Sequence, residues 1–250
     1  MAVKKMSRAS RLKKKQEELQ QRGNGGGSML YLKEGTQRVR LLPTLDDEAD
    51  FVIEVVQFYL GGDIKGVFSP STFGLPCAVM DKYNELKASD DPDDKDLAKS
   101  FIPKKKFLSA CIAYADEKGK TVNEDRGICL VQLTTGLYQE IIDYYLDEDE
   151  WGDMTDPSEG YDLKLKRSGT GLNTEYSAAP CRHTKLIKKY EKGVDTEKMV
   201  KDQMPTFAET KEKIGKFLGI EFEEEEEEEE EAPPKKKKTL RKKKRRNADV

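Results

Sequence analysis

Apolar and polar residues alternate in several short runs, and those runs predict strands. Gln37–Pro43 places Val39 and Leu41 on one face and Arg38 and Arg40 on the other. Phe51–Leu60, Lys104–Ala115 and Ile128–Leu133 are β-rich runs, Tyr161–Lys166 alternates cleanly, and Glu175–Ala178 closes the series. Lys105, Phe107 and Ser109 fall on one face of their strand, with Leu108, Ala110 and Ile112 on the other. Helical spacing takes over at Pro76–Lys87, Asp91–Lys99, Thr135–Glu148, Asp195–Met204 and Phe207–Leu218, the last ending at Gly219. Ser7–Arg22 reads as a separate helix, cut off from the rest by the flexible Gly23–Ser28 segment. Many strands with no βαβ rhythm predict a mainly β fold with helical insertions, of α+β class, built on a small barrel.

Charge divides the chain into three parts. Residues 1–28 carry net +6, residues 221–231 net −10 and residues 232–250 net +9, leaving −8 on the middle of a chain whose total is −3. Nine consecutive glutamates, Glu223–Glu231, and the basic block Lys235–Lys238 and Arg241–Arg246 cannot pack in a core, because each charge needs water or a counter-charge. The expected organisation is a basic arm and hinge over 1–28, a folded core over 29–220, and a disordered acidic-then-basic tail over 221–250. Any nucleic-acid grip of the acidic core must be a local basic cleft. There is no apolar stretch of membrane-spanning length and no apolar leader segment at the N-terminus. The four cysteines lack CxxC spacing and read as free thiols in a reducing compartment.

Enzymatic signatures are scarce. His183 is the single histidine, no Walker A or GxGxxG sequence occurs, and Asp153 and Asp156 read as turn or cap residues. Convergence of Cys77, Cys181 and His183 on a metal is weaker than the reading of buried or half-buried thiols. Binding features are stronger: Lys104, Lys105, Lys106 and Phe107 put charge beside an aromatic ring at a strand start. Lys164 and Lys166, followed by Arg167, and Arg38 with Arg40, give two further basic strand faces. The plain alternative is solvated edges that discourage sheet-to-sheet pairing.

In order along the chain, several segments resemble the tailed-phage single-stranded DNA-binding proteins of the T-even helix-destabilising type. They are the basic arm with Ser7-Arg8-Ala9-Ser10-Arg11, the Gln37–Pro43 strand, the Ser69–Cys77 loop and the Lys104–Lys106 strand. Trp151–Gly169, resembling "G…DPxxGxDLxLxRxG", and Pro205–Gly219 before an acidic run complete the series. The resemblance implies an OB-fold core and a non-enzymatic protein that coats and protects single-stranded DNA in replication, recombination and repair. Phosphate contacts would fall to Arg38, Arg40, Lys104, Lys105, Lys106, Lys164, Lys166 and Arg167, and base stacking to Phe107 and Tyr176. It also implies self-association through the arm, replication partners such as a polymerase or helicase loader, no membrane partner, and residence in the host cytoplasm or a viral replication compartment. The family's zinc, held by one His and three Cys, is expected to be missing. Ser69 and Met80 stand near cysteine positions beside Cys77, leaving Phe68, Phe73, Leu75 and Met80 to pack the loop. A terminal basic block departs from the family pattern. The other class that fits is an acidic interaction or chaperone protein for basic partners, with no DNA-binding cleft of its own.

Overall fold

The computed structural model describes residues 29–220 apart from 47, 62, 63, 65, 120, 124 and 125. The Ser7–Arg22 helix, the hinge and both charged tail segments lie outside the described residues. Among the described residues eight strands form one mixed sheet: β1 (Met29–Leu30), β2 (Gly35–Leu41), β3 (Val52–Phe58), β4 (Val67–Phe68), β5 (Lys104–Ala113), β6 (Ile128–Leu133), β7 (Tyr161–Ser168) and β8 (Glu175–His183). The main path runs β1-β6-β5-β2-β7-β8, with β3 and β4 branching from it. β5 is the spine. Its Lys104–Ser109 half pairs with β3, its Cys111–Ala113 end with β2, and its other edge with β6. Among the described residues no pairing closes β8 onto β1, so the sheet is branched and largely open, and the barrel expected from the sequence is not formed by these ladders.

Among the described residues five α-helices clothe the sheet: α1 (Ala78–Ala88), α2 (Pro92–Lys99), α3 (Thr135–Leu146), α4 (Thr196–Lys201) and α5 (Phe207–Leu218). α1 starts two residues later than its sequence pattern predicts, because Cys77 is the N-cap and Pro76 precedes it. α5 begins with a capping box, in which the Thr206 hydroxyl accepts from Glu209 N–H while the Glu209 carboxylate accepts from Thr206 N–H.

Alternate residues of β5 serve two different cores. Phe107, Cys111 and Ala113 join Val39, Leu41, Leu163 and Leu165 under Leu137 and Ile141 of α3. Leu108 and Ala110 join Val55 and Leu130 under Val200 of α4. A third core packs α1, α2 and α5 around Phe58 and Phe101, where Phe101 meets Phe217 edge-on at 5.2 Å. Each such fully buried side chain contributes roughly 1.5–3 kcal/mol. β8 is an edge strand that runs on through Pro180 to His183, longer than predicted, because an edge tolerates the missing N–H. Its outer side at Ala178 is covered by α3: Ala178 N–H donates to the Glu140 carboxylate at 2.7 Å, and Tyr144 Oη donates to Ala178 C=O at 3.4 Å.

Candidate nucleic-acid interface

Where β3 leaves the sheet beside the start of β5, a cleft of about 560 Å³ opens, bordered by Tyr31, Tyr59 and Tyr176. Tyr31 is 60% and Tyr59 41% exposed, which leaves ring surface open to solvent. The register sets Gln57 opposite Lys104 and Val55 opposite Lys106, so both lysines project on the same side as Gln57. Their ammonium groups stand 5.6 and 5.7 Å from the Tyr59 ring centre. Beneath the rings lie Gln57, Gln132 and Thr134. Gln57 is 4% exposed, and its Oε1 accepts from Tyr59 Oη at 2.7 Å and from Gln132 Nε2 at 2.9 Å. Gly66 forms part of the wall because nothing larger fits: a Cβ there would lie 2.6 Å from Gln57 Nε2.

The residues predicted to bind nucleic acid divide between this cleft and other surroundings. Lys106 and Tyr176 line it, and Lys104 stands over Tyr59. Arg167 lies directly across from Tyr176 in the β7–β8 ladder, half-buried, with its Nε unbonded among the described residues. Lys105 turns to the opposite side and pairs with Glu54 at 2.8 Å, an exposed pair of small energetic weight. Lys164 and Lys166 are exposed on β7 but do not line the cleft.

Phe107 is not an open stacking face. It is 8% exposed, and the Tyr138 ring covers it at 4.4 Å. The alternation that placed Phe107 and Ser109 on a wet face fails because β5 is packed on both sides.

Arg38 and Arg40 are also turned inward. Arg40 is 1% exposed; its Nη1 donates to Thr184 C=O and its Nη2 to Asp156 C=O at 2.8 Å, with Nη1 3.6 Å from Asp162 Oδ1. Arg38 donates through Nε and Nη2 to Asp162 Oδ2 at 2.8 and 2.5 Å, and Tyr114 Oη donates to Asp162 Oδ1 at 3.2 Å. Burial lowers the affinity of Arg40 for its proton, offset in part by the Asp162 charge. Burial, with the Asp162 charge, pushes the Tyr114 hydroxyl up to about 12. This cluster explains much of the Trp151–Gly169 segment. Asp156 and Asp162 hold the arginines, and a Cβ at Gly160 would lie 2.7 Å from Arg40 Nη2 and 2.5 Å from two carbonyl oxygens. The Asp153 and Asp156 carboxylates also accept from backbone N–H groups of their own turns, at Thr155, Ser158 and Glu159, as turn residues do.

The Ser69–Cys77 loop does not present a zinc ligand set. Ser69 is fully buried, its hydroxyl 2.7 Å from that of Ser71, and Cys77 caps α1 inside the helical core. Cys181 and His183 are both on β8, where His183 stacks on Trp151. Among the described residues no three His, Cys, Asp or Glu side chains converge to hold a metal. Phe68, Phe73 and Met80 pack into the cores, whereas Leu75, expected to do the same, is 52% exposed. No helix of the described residues is long and apolar enough to cross a membrane.

Single-strand binders combine aromatic faces with basic groups, and this cleft brings tyrosine rings and ammonium groups together. The chain belongs to the gp32-like DNA-binding proteins: the family model "gp32 DNA binding protein like" matches residues 33–218, most of the chain. No curated protein gives a significant match.

The sequence reading missed Tyr31, Tyr59, Gln57, Gln132 and Thr134. Each alone is an ordinary strand or turn residue; only the register of β3 on β5 and of β6 on β5 makes them neighbours.

Proposed function

We propose that this protein binds single-stranded DNA in the tyrosine cleft, without strong sequence preference, and coats it during replication, recombination and repair in phage-infected cells. The observation that carries the reading is the grouping of Tyr31, Tyr59 and Tyr176 on one cleft with Lys104 and Lys106 above the Tyr59 ring. A base laid on a tyrosine contributes about 1–3 kcal/mol whatever its identity. Each lysine that neutralises a phosphate releases counterions, so affinity falls as salt rises. Arg167, beside Tyr176, extends the basic rim. The branched sheet serves here as an OB-like platform. The basic arm supplies contacts between neighbouring protomers, and the glutamate run competes with DNA for basic surfaces and recruits replication proteins.

The test is fluorescence anisotropy of a labelled oligonucleotide of ~30 residues, single- and double-stranded, over a salt series. The intact protein is expected to prefer the single strand. Tyr59→Ala should weaken binding by about tenfold, the lower range of one lost stacking contact. Lys104→Ala with Lys106→Ala should flatten the salt dependence by roughly one to two counterions. Unchanged affinity and salt slope in both variants would remove the cleft from DNA binding.

A further inference from the structure

A cleft that only stacks bases and neutralises phosphates needs no amides in its floor, yet two glutamines meet there. Gln57 is nearly sealed from solvent at the penultimate position of β3, between Val56 and Phe58, where an apolar residue would pack at no polar cost. Its carbonyl oxygen is fully used by Tyr59 and Gln132, which fixes the Gln132 amide in one orientation. Gly66 holds the chain against the Gln57 amide nitrogen, and that contact tolerates no Cβ. After its bond to Gln57, Gln132 retains its Oε1 acceptor and one N–H donor on the same amide, on a residue that lines the cleft. Thr134, whose oxygen caps α3 by accepting from Leu137 N–H, still has a hydroxyl hydrogen to give at the same place.

An adjacent donor and acceptor on a rigid support match the Watson–Crick edge of a nucleobase. All four bases carry a neighbouring donor and acceptor on that edge, so such a contact holds any base; in a duplex the same edge is occupied by the partner base. We infer that Gln132, positioned by Gln57, hydrogen-bonds the Watson–Crick edge of one base in the cleft, making the cleft select unpaired bases. The inference rests on the cleft being the DNA site, and it assigns strand discrimination to the floor while the tyrosines and lysines provide grip. Gln57 is the positioning residue, and Gln132 is the one that touches DNA.

The test compares a short thymidine oligonucleotide with one built from N3-methylthymidine, which blocks the Watson–Crick edge while leaving the ring face and the phosphates in place. Full-length wild-type protein is expected to bind the methylated oligonucleotide about tenfold more weakly, the size of one good paired contact to a base edge. Gln132→Leu should bind the two oligonucleotides alike, with its salt dependence unchanged. Gln57→Leu should also lose the discrimination. Equal binding of both oligonucleotides by wild-type protein overturns the inference without any variant, and so does discrimination that survives in Gln132→Leu. The cleft reading fails separately, if Tyr59→Ala and the double lysine variant leave thymidine-oligonucleotide binding untouched.

Discussion

Asp162 holds two arginines and a tyrosine at once. Two guanidinium groups beside one carboxylate, with backbone carbonyls taking further N–H bonds, let a charge at 1% exposure persist in the interior. Removing the carboxylate leaves Arg40 buried without its counter-charge. Asp162→Ala is therefore expected to destabilise the fold by about 3–5 kcal/mol in urea unfolding, against about 0.5 kcal/mol or less for the exposed Lys164→Ala. The identity of these residues was plain in the sequence, but their role was not. Alternation assigns Arg38 and Arg40 to a wet face, as for any strand with one dry side. Here β2 lies between β5 and β7, and the counter-charge to Arg38 comes from 124 residues away. Nothing local in the chain announces such a pairing.

Strands and helices were legible where one period dominated. Ile128–Leu133 and Phe207–Leu218 match their predicted bounds residue for residue, because an apolar strand core and a capped amphipathic helix each signal both ends. Lys104–Ala113 was legible as a strand but not as the spine of the sheet. A strand buried on both faces shows no useful alternation, so Phe107 resembled a wet ring and proved a packed one. Register was the missing quantity, and the cleft is made of register: Tyr59 lies two residues beyond the Gln57–Lys104 pair. At this scale the cap of α5 gives a clean test. Thr206→Ala removes one half of the capping box and should cost about 1 kcal/mol, read as a lower urea midpoint at unchanged slope. The helical core is expected to soften first, since α5 also ties to α1 through the Ala78 N–H bond to Thr210 Oγ1.

The whole molecule sets a folded, acidic middle between strongly charged ends, and the family match ends at Leu218, the final residue of α5. The ends are where cooperativity and competition are proposed to reside. Deleting residues 1–22 should make the binding isotherm on long single strands less steep while changing affinity for a short oligonucleotide little. An unchanged isotherm on long strands would remove the arm from protomer contacts. Fold class was readable at this scale from strand count and the lack of βαβ rhythm, whereas the open, branched pairing was not, because strand number does not say which edges meet. If copies stand side by side on a strand, as proposed, a bare sheet edge would be a template for pairing one copy with the next. Glu140 and Tyr144 occupy both backbone groups of Ala178 on the β8 edge. At that residue the edge keeps no free N–H to template a strand from a neighbouring copy, so in the proposed coating of a strand the contacts between copies would be left to the arm.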